Sequence, residues 1–248
     1  MIYPSRCTAC RSCQVACKNW NENIETKTTN VGTYENPPAL NFNTFTKIKF
    51  NEHSNGKSFG IKWLFLKQQC LHCTEATCMM VCPSEGALYR TPEGAVAFNS
   101  EKCIGCKYCV MTCPFEIPKF SESTKTISKC HLCFDRMASG LKPACAKACP
   151  TGSIVFGDRD KLIEEAKASG AKSIYGENEL KGLHVMYVLE DTPDKYGLPV
   201  NPKVPGGVIL WRNYIKPLIK WGIPLVSLGV FVHFWLHGPH VVEEGGKK

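Results

Sequence analysis

Short apolar runs, some continuous and some alternating with polar residues, recur along most of the chain and indicate β-structure. They lie at residues 43–50, 62–66, 86–90, 95–98, 153–156 and 184–189. The sequence Thr-Pro-Glu-Gly at 91–94 joins the third run to the fourth and predicts a β-hairpin. The polar stretch 160–168, with Asp158 as its cap and Gly170 as its stop, predicts a short helix.

The C-terminal part of the chain has a different pattern. Residues 193–207 contain four prolines and predict an extended linker. Residues 221–242 contain no Asp, Glu, Lys or Arg, and as a helix they would extend roughly 33 Å, enough for the apolar core of a bilayer. Arg212, Lys216 and Lys220 recur every four residues and suit lipid phosphates at one membrane surface. We therefore predict one transmembrane helix, with a buried or interfacial helix of a soluble protein as the alternative.

Composition narrows the class of protein. Of 248 residues, 44% are hydrophobic, which permits a packed core and excludes global disorder. The formal charge of +8 is compatible with a nucleic-acid or membrane partner. The length argues against a small secreted module held together by disulfides. Because Arg6 and Cys7 come so early, without an apolar segment before or after them, we expect no signal peptide.

The sixteen cysteines give the strongest chemical signal, because they fall into four groups of four with none left over. The groups are Cys7, Cys10, Cys13 and Cys17; Cys70, Cys73, Cys78 and Cys82; Cys103, Cys106, Cys109 and Cys113; and Cys130, Cys133, Cys145 and Cys149. The third group has the bacterial ferredoxin spacing C-x2-C-x2-C-x3-C-P. Thiolates are soft ligands that favour iron–sulfur clusters or zinc.

Four [4Fe–4S] clusters explain this pattern best, and two other interpretations are weaker. Disulfides need an oxidising compartment, and C-x2-C spacing is cramped for a bridge within a group. Zinc ribbons use two C-x2-C pairs per metal, which leaves the third and fourth cysteines of these groups unexplained. The sequence has no P-loop, G-x-G-x-x-G turn or G-x-S-x-G elbow, so we interpret the chain as an electron carrier and not an enzyme.

The ligands of each cluster can be predicted from two-cluster ferredoxins, in which the fourth cysteine of each group binds the other group's cluster. The second and third groups are close in sequence and are therefore paired, which leaves the first to pair with the fourth. The predicted sets are Cys7, Cys10, Cys13 and Cys149; Cys17, Cys130, Cys133 and Cys145; Cys70, Cys73, Cys78 and Cys113; and Cys82, Cys103, Cys106 and Cys109. A structure with Cys113 on the cluster of Cys103 would refute this assignment.

Other residues are candidates for supporting roles. His72 and His131 each lie inside a C-x2-C pair, where a contact beside a cluster or plain exposure is expected, and not iron ligation. Basic residues flank the groups, Lys129 among them, and either raise cluster potentials or are solvated. His233 and His237 share a helix face and are candidates to touch a haem, a quinone or a partner helix in the membrane.

These features predict an α+β fold of two tandem, pseudo-symmetric modules similar to bacterial ferredoxins, with loops and short hairpins, plus one C-terminal transmembrane helix. The expected boundaries are a four-cluster domain at 1–192, the linker at 193–207, the membrane-anchor helix at 208–240 and a polar tail at 241–248. Each oxidised cluster with four thiolates carries about −2, so four clusters offset the formal charge of +8. We therefore expect no nucleic-acid partner.

The first cysteine group also carries a family resemblance. Residues 6–21, Arg-Cys-Thr-Ala-Cys-Arg-Ser-Cys-Gln-Val-Ala-Cys-Lys-Asn-Trp-Asn, closely resemble the opening of formate dehydrogenase β (iron–sulfur) subunits. The four groups, with the long gap in the fourth, resemble the wider class of four-cluster subunits that serve molybdopterin oxidoreductases and some membrane-bound hydrogenases. The resemblance covers about residues 1–160 and the C-terminal helix.

The resemblance implies the electron-transfer subunit of a three-part complex, without catalytic activity of its own. A catalytic subunit with a molybdenum or tungsten bis-pterin site would oxidise formate, and this chain would relay the electrons through four [4Fe–4S] clusters. A cytochrome b or another quinone-reactive membrane subunit would receive them. The alternatives are the same relay for a hydrogenase or another molybdopterin oxidoreductase and, more distantly, a zinc-binding nucleic-acid protein.

Two arguments about the side of the membrane oppose each other. In the family's respiratory members the cluster domain lies outside the cytoplasm, exported with the catalytic subunit, whose signal serves both. Here Arg212, Lys216 and Lys220 precede the helix, and the positive-inside rule would keep that side cytoplasmic. The charges at 243–248 offset this only in part. We expect a periplasmic cluster domain, because export of a folded complex can override the rule.

Overall fold

The computed structural model describes residues 1–54 and 60–238. The chain forms two units, the first from Met1 to Val204 and the second beginning at Pro205. The first unit therefore ends later than the predicted domain boundary at residue 192. The polar tail predicted at 241–248, and the end of the predicted apolar segment at 239–242, lie outside the described residues.

Among the described residues of the first unit, the β-structure consists of four separate two-stranded antiparallel sheets. β1 (Lys47–Ser54) pairs with β2 (Ile61–Gln68), β3 (Leu88–Arg90) with β4 (Val96–Phe98), β5 (Lys119–Phe120) with β6 (Ile127–Ser128), and β7 (Ser173–Tyr175) with β8 (Tyr187–Leu189). The predicted hairpin is confirmed by the β3–β4 pair, in which Leu88 lies opposite Phe98. In the longest sheet Phe50 lies opposite Phe65, and their rings pack edge to face.

Three of the predicted strands differ most from the observed structure. β1 begins at residue 47 and not at 43, because Asn41 and Thr44 bridge across a tight turn just before it. The run predicted after the fourth cysteine group forms a single antiparallel bridge, between Ile2 and Ile154, and no longer strand. β8 begins three residues later than predicted, since the two amides at 184 and 185 donate instead to the carbonyl of Leu71.

The helices of the first unit are short, and most of them lie next to a cysteine group. They are α1 (Ser12–Trp20), α2 (Thr77–Met80), α3 (Tyr108–Thr112), α4 (Phe134–Ala138), α5 (Ala144–Lys147) and α6 (Arg159–Ala168), with 3-10 turns at Pro4–Arg6, Glu179–Lys181 and Pro193–Tyr196. The helix predicted at 160–168 is confirmed as α6. Asp158 caps it by accepting hydrogen bonds from the amides of Asp160 and Lys161, at 3.2 and 3.1 Å.

The main hydrophobic core includes residues of β2 and β8 together with the chain that follows each of them. Leu66, Leu71 and Leu183 are almost completely buried, and each such side chain contributes about 1.5–3 kcal/mol of burial free energy. Tyr196 and Leu198 belong to the same core. The stretch predicted to be an extended linker therefore packs in part against the core, through large apolar side chains between its prolines. The first unit includes this stretch as far as residue 204.

Among its described residues, the second unit contains one continuous helix over Gly206–His237. It consists of α7 (Gly206–Leu210), a π-helical turn (Trp211–Ile215) and α8 (Lys216–His237). Large apolar side chains such as Phe231 and Trp235 are exposed along it. By length and composition the helix could cross a membrane, as predicted from the apolar segment.

Candidate functional site

The first predicted cysteine set lines one cavity. Cys7 and Cys10 lie on the N-terminal loop, Cys13 on the first turn of α1, and Cys149 after α5. Arg11 has a φ of +63° immediately before α1, an unusual value for a residue other than glycine. This left-handed residue turns the chain between Cys10 and Cys13, so that both reach the same space.

The second set lines a separate cavity. Cys17 lies on α1, Cys145 on α5, and Cys130 and Cys133 on the loop before α4. Burial raises the pKa of the Cys17 thiol to about 12, and the nearby thiolates of Cys145 and Cys133 add to the shift. A bare thiolate is therefore disfavoured here, and a bound cationic centre would be needed to hold the charge.

The third set, Cys70, Cys73, Cys78 and Cys113, lines another cavity. The first three come from the loop after β2 and from α2, whereas Cys113 follows α3. Burial raises the pKa of Cys78 to about 12, and the thiolates of Cys70 and Cys113 contribute in the same direction. The structure thus brings the last cysteine of the third group to the second group.

The fourth set is close enough for its thiols to influence one another. Burial raises the pKa of Cys109 to about 12, and the thiolates of Cys106, Cys82 and Cys103 raise it further. Lys107 has a φ of +62° immediately before α3, so it repeats the backbone turn found before α1. The structure therefore brings together all four predicted sets, each with one cysteine from a distant part of the chain or from the neighbouring group.

The donor chemistry and the space between the donors fit an iron–sulfur cluster. Each set offers four soft thiolates, and each of the first three sets lines one cavity of its own. Among the described residues, no three His, Cys, Asp or Glu side chains form a group that could hold a single metal ion. Apolar side chains complete the walls, such as Phe65 in the first cavity, Phe45 in the second and Phe115 in the third.

Two buried lysines lie beside the cysteine sets. Lys67 is 3% exposed and lines both the first and the second cavity. Burial opposes its charge, but the thiolates of Cys145, Cys13, Cys130 and Cys17 together outweigh burial and raise the pKa of Lys67. Lys129 is equally buried, lines the third cavity and donates to two backbone carbonyls. A cation at either position would stabilise the more negative, reduced state of a cluster.

Sequence reasoning singled out Lys129 but missed Lys67. A lysine in a strand is usually solvated, and the strand pattern alone gives no reason to place this one inside. The signal that could have found it is its position immediately after the apolar run 62–66, which leads directly to Cys70. Its backbone is also fixed in the core, since the buried hydroxyl of Tyr187 donates to the carbonyl of Lys67 at 2.6 Å.

Of the two histidines inside C-x2-C pairs, one is fully buried and the other partly buried. His72 is completely buried, and its Nε2 lies 3.7 Å from Cys130 Sγ. His131 lines the second cavity, contacts the side chain of Asn21 and packs against two aromatic rings. Of the two expectations, plain exposure is thus wrong for both residues, and they lie beside the cysteine sets.

The two histidines near the C-terminus lie in the second unit. His233 and His237 are one turn apart on α8, and their ring centroids are separated by 4.7 Å. The rings therefore face the same side of the helix, as the spacing predicts. Within the described part of the second unit, α8 carries no buried residue, so both rings are available to a partner.

Comparisons with known proteins agree with this geometry. A family model described as a 4Fe-4S dicluster domain matches residues 61–159. The nitrate-inducible formate dehydrogenase iron–sulfur subunit of Escherichia coli K12 is 40% identical, over 97% of this chain and 85% of its own length. A formate dehydrogenase iron–sulfur subunit of Haemophilus influenzae is 38% identical, over 98% and 82%. The B subunit of the anaerobic dimethyl sulfoxide reductase of Escherichia coli K12 is 34% identical, over 65% and 73%. The chain therefore belongs to the family of formate dehydrogenase iron–sulfur subunits.

Proposed function

We propose that this chain is the electron-transfer subunit of a membrane-bound formate dehydrogenase and relays electrons through four [4Fe–4S] clusters. The observation that carries the proposal is the division of sixteen cysteines into four sets, three of which line cavities of their own. Relatives at 38–40% identity over nearly the full chain are formate dehydrogenase iron–sulfur subunits, which supports the choice of enzyme. The chain is accordingly the non-catalytic partner in such a complex.

One cluster is assigned to each set, so that all sixteen cysteines are iron ligands. The sets are Cys7, Cys10, Cys13 and Cys149; Cys17, Cys130, Cys133 and Cys145; Cys70, Cys73, Cys78 and Cys113; and Cys82, Cys103, Cys106 and Cys109. A bound cluster supplies a site for one-electron reduction. The protein supplies the thiolates, the apolar walls that exclude water and the buried cations that favour reduction. The matching left-handed turns before α1 and α3 support two pseudo-symmetric modules.

The proposed partners follow from the place of such a subunit between an enzyme and a membrane. The electron donor is a catalytic subunit with a molybdenum or tungsten bis-pterin site, and the acceptor is a cytochrome b or another quinone-reactive membrane subunit. The helix Gly206–His237 is the proposed single-pass anchor in the lipid bilayer. His233 and His237, side by side on α8, are its proposed contacts with the membrane partner. The cluster domain is assigned to the periplasmic side, and no nucleic acid is involved.

A second candidate is the same relay in a different molybdopterin oxidoreductase. The specific observation in its favour is the similarity to the B subunit of anaerobic dimethyl sulfoxide reductase, at 34% identity. That similarity covers 65% of this chain, against 97% for the formate dehydrogenase subunit of the same organism. Formate dehydrogenase is therefore the better supported enzyme.

Purification in mild detergent tests the proposal. The chain should purify with a large pterin-containing subunit and with about sixteen iron and sixteen sulfide per chain, as four [4Fe–4S] clusters require. Formate should reduce the clusters, and the reduced clusters should then give signals in electron paramagnetic resonance (EPR). A colourless protein that contains zinc would refute the cluster assignment, and a large subunit without formate oxidation would favour the second candidate.

A further inference from the structure

His72 connects two of the cysteine sets. In sequence it lies between Cys70 and Cys73, which both line the third cavity. Its ring, however, extends to the second set, where Nε2 lies 3.7 Å from the sulfur of Cys130. The side chain is fully buried, so water does not compete for this contact.

The hydrogen bonds around the ring determine which nitrogen carries the proton. The amide of Val96 donates to Nδ1 at 2.9 Å, so Nδ1 is an acceptor and bears no hydrogen. An imidazole always carries at least one N–H, which is therefore at Nε2 and points toward the sulfur.

The backbone around His72 holds the ring in this position. His72 has a φ of +49°, a left-handed conformation that a residue other than glycine adopts only where its surroundings require it. Its carbonyl accepts a hydrogen bond from Nδ1 of His184 at 2.8 Å. The ring is thus fixed by one contact at Nδ1 and another at the backbone, and Nε2 is left for Cys130.

We propose that His72 is a positioning residue that donates Nε2–H to Cys130 and thereby raises the reduction potential of the cluster held by the second set. This inference rests on the proposed function, because it requires a cluster at Cys130. Reduction places more negative charge on the cluster and its sulfur ligands, and a hydrogen-bond donor stabilises that state. The buried, weakly polarisable surroundings strengthen the effect of a single donor.

Two substitutions form a matched test. His72→Leu and His72→Gln both remove the ring nitrogen that accepts from the Val96 amide, but only glutamine keeps an N–H group able to reach Cys130. EPR-monitored redox titration of the complete complex then compares the midpoint potentials of the clusters. We expect His72→Leu to make one cluster about tenfold harder to reduce, which is about 59 mV for one electron. His72→Gln should restore most of the shift, and the other three midpoints should stay unchanged.

The identity of the shifted signal decides between the two neighbouring clusters. It should be the signal that Cys133→Ser perturbs, since Cys133 lines the same cavity as Cys130. An unchanged midpoint in His72→Leu, equal shifts in both variants, or a shift confined to the signal perturbed by Cys78→Ser would each overturn the proposal.

If neither His72 variant folds and binds its clusters, a measurement on protein that keeps His72 still tests the proposal. In a His131→Gln protein labelled with ¹⁵N-histidine, pulsed EPR should show nitrogen coupling to that cluster, and absence of the coupling would overturn the proposal. Wild-type protein without any iron–sulfur signal would instead refute the proposed function. Normal signals with an unaltered midpoint in His72→Leu would refute only the role of His72.

Discussion

Replacing Gly105 with alanine should release the cluster assigned to the fourth set. Gly105 lies between Cys103 and Cys106 and has a φ of +70°. A Cβ added there would lie 2.5 Å from the carbonyl oxygen of Lys125, in the turn between β5 and β6. That distance is too short for two non-bonded atoms, and both are attached to backbone. The cysteine loop or the hairpin must therefore move.

Gly140 provides a matched control for the size of the effect. It has a φ of +69°, but an added Cβ would meet no atom within 4 Å. Both substitutions place an L-residue in the left-handed region, at a cost of roughly 1–2 kcal/mol. Only Gly105→Ala adds the backbone clash. Overpacking of this kind costs about 1–3 kcal/mol of additional stability. The difference between the two variants isolates the close approach of the loop to the hairpin.

Iron analysis, EPR and denaturant unfolding of the two variants measure the outcome. Gly105→Ala should lose about four of about sixteen iron atoms per chain, together with one EPR signal, as expected for one [4Fe–4S] cluster. Gly140→Ala should keep all its iron and all its EPR signals, and it should lose only the stability that the left-handed conformation costs. Equal iron content and equal unfolding free energy in both variants would refute the reasoning.

Three further changes have defined outcomes. Lys67→Met removes a buried cation and should lower the midpoint potentials of the clusters assigned to the first two sets, as measured by EPR redox titration. Lys142→Met, which replaces an exposed lysine, should leave these potentials unchanged. Asp158→Ala removes the cap of α6 and should lower the unfolding free energy in denaturant by about 1 kcal/mol; no change would contradict the capping role. Leu228→Arg in the apolar helix should cost roughly 2.5–3.5 kcal/mol of insertion. Carbonate extraction should then release the variant from membranes but retain Ser227→Ala.

The grouping of the cysteines could be predicted from sequence because it depends on local spacing and on a known exchange of fourth ligands. Thiols three residues apart on a loop reach one space, and a proline after the fourth cysteine directs it elsewhere. The structure brings Cys113 beside Cys70, and Cys149 beside Cys7, which is the same grouping. The helix capped by Asp158 was also predictable, since a cap is a local interaction.

The features that sequence reasoning missed all depend on contacts between distant parts of the chain. The burial of Lys67 arises because two cysteine sets from different groups surround it. The contact of His72 with Cys130 joins residues 58 positions apart, so the C-x2-C motif alone does not show it. Tyr196 and Leu198 enter the core from a proline-rich stretch whose composition is typical of a linker. Local propensity has no information about the partners that bury these residues.

Rapid freeze-quench EPR of the intact complex, after mixing with formate, tests the electron relay most directly. If this chain relays electrons, its four clusters should become reduced within the time of one turnover, and four iron–sulfur signals assigned to the chain should appear. Subunit-resolved iron analysis should find about sixteen iron per chain. Two results would contradict the relay. One is clusters that stay oxidised while the catalytic subunit oxidises formate, and the other is a chain with fewer than four clusters at full activity.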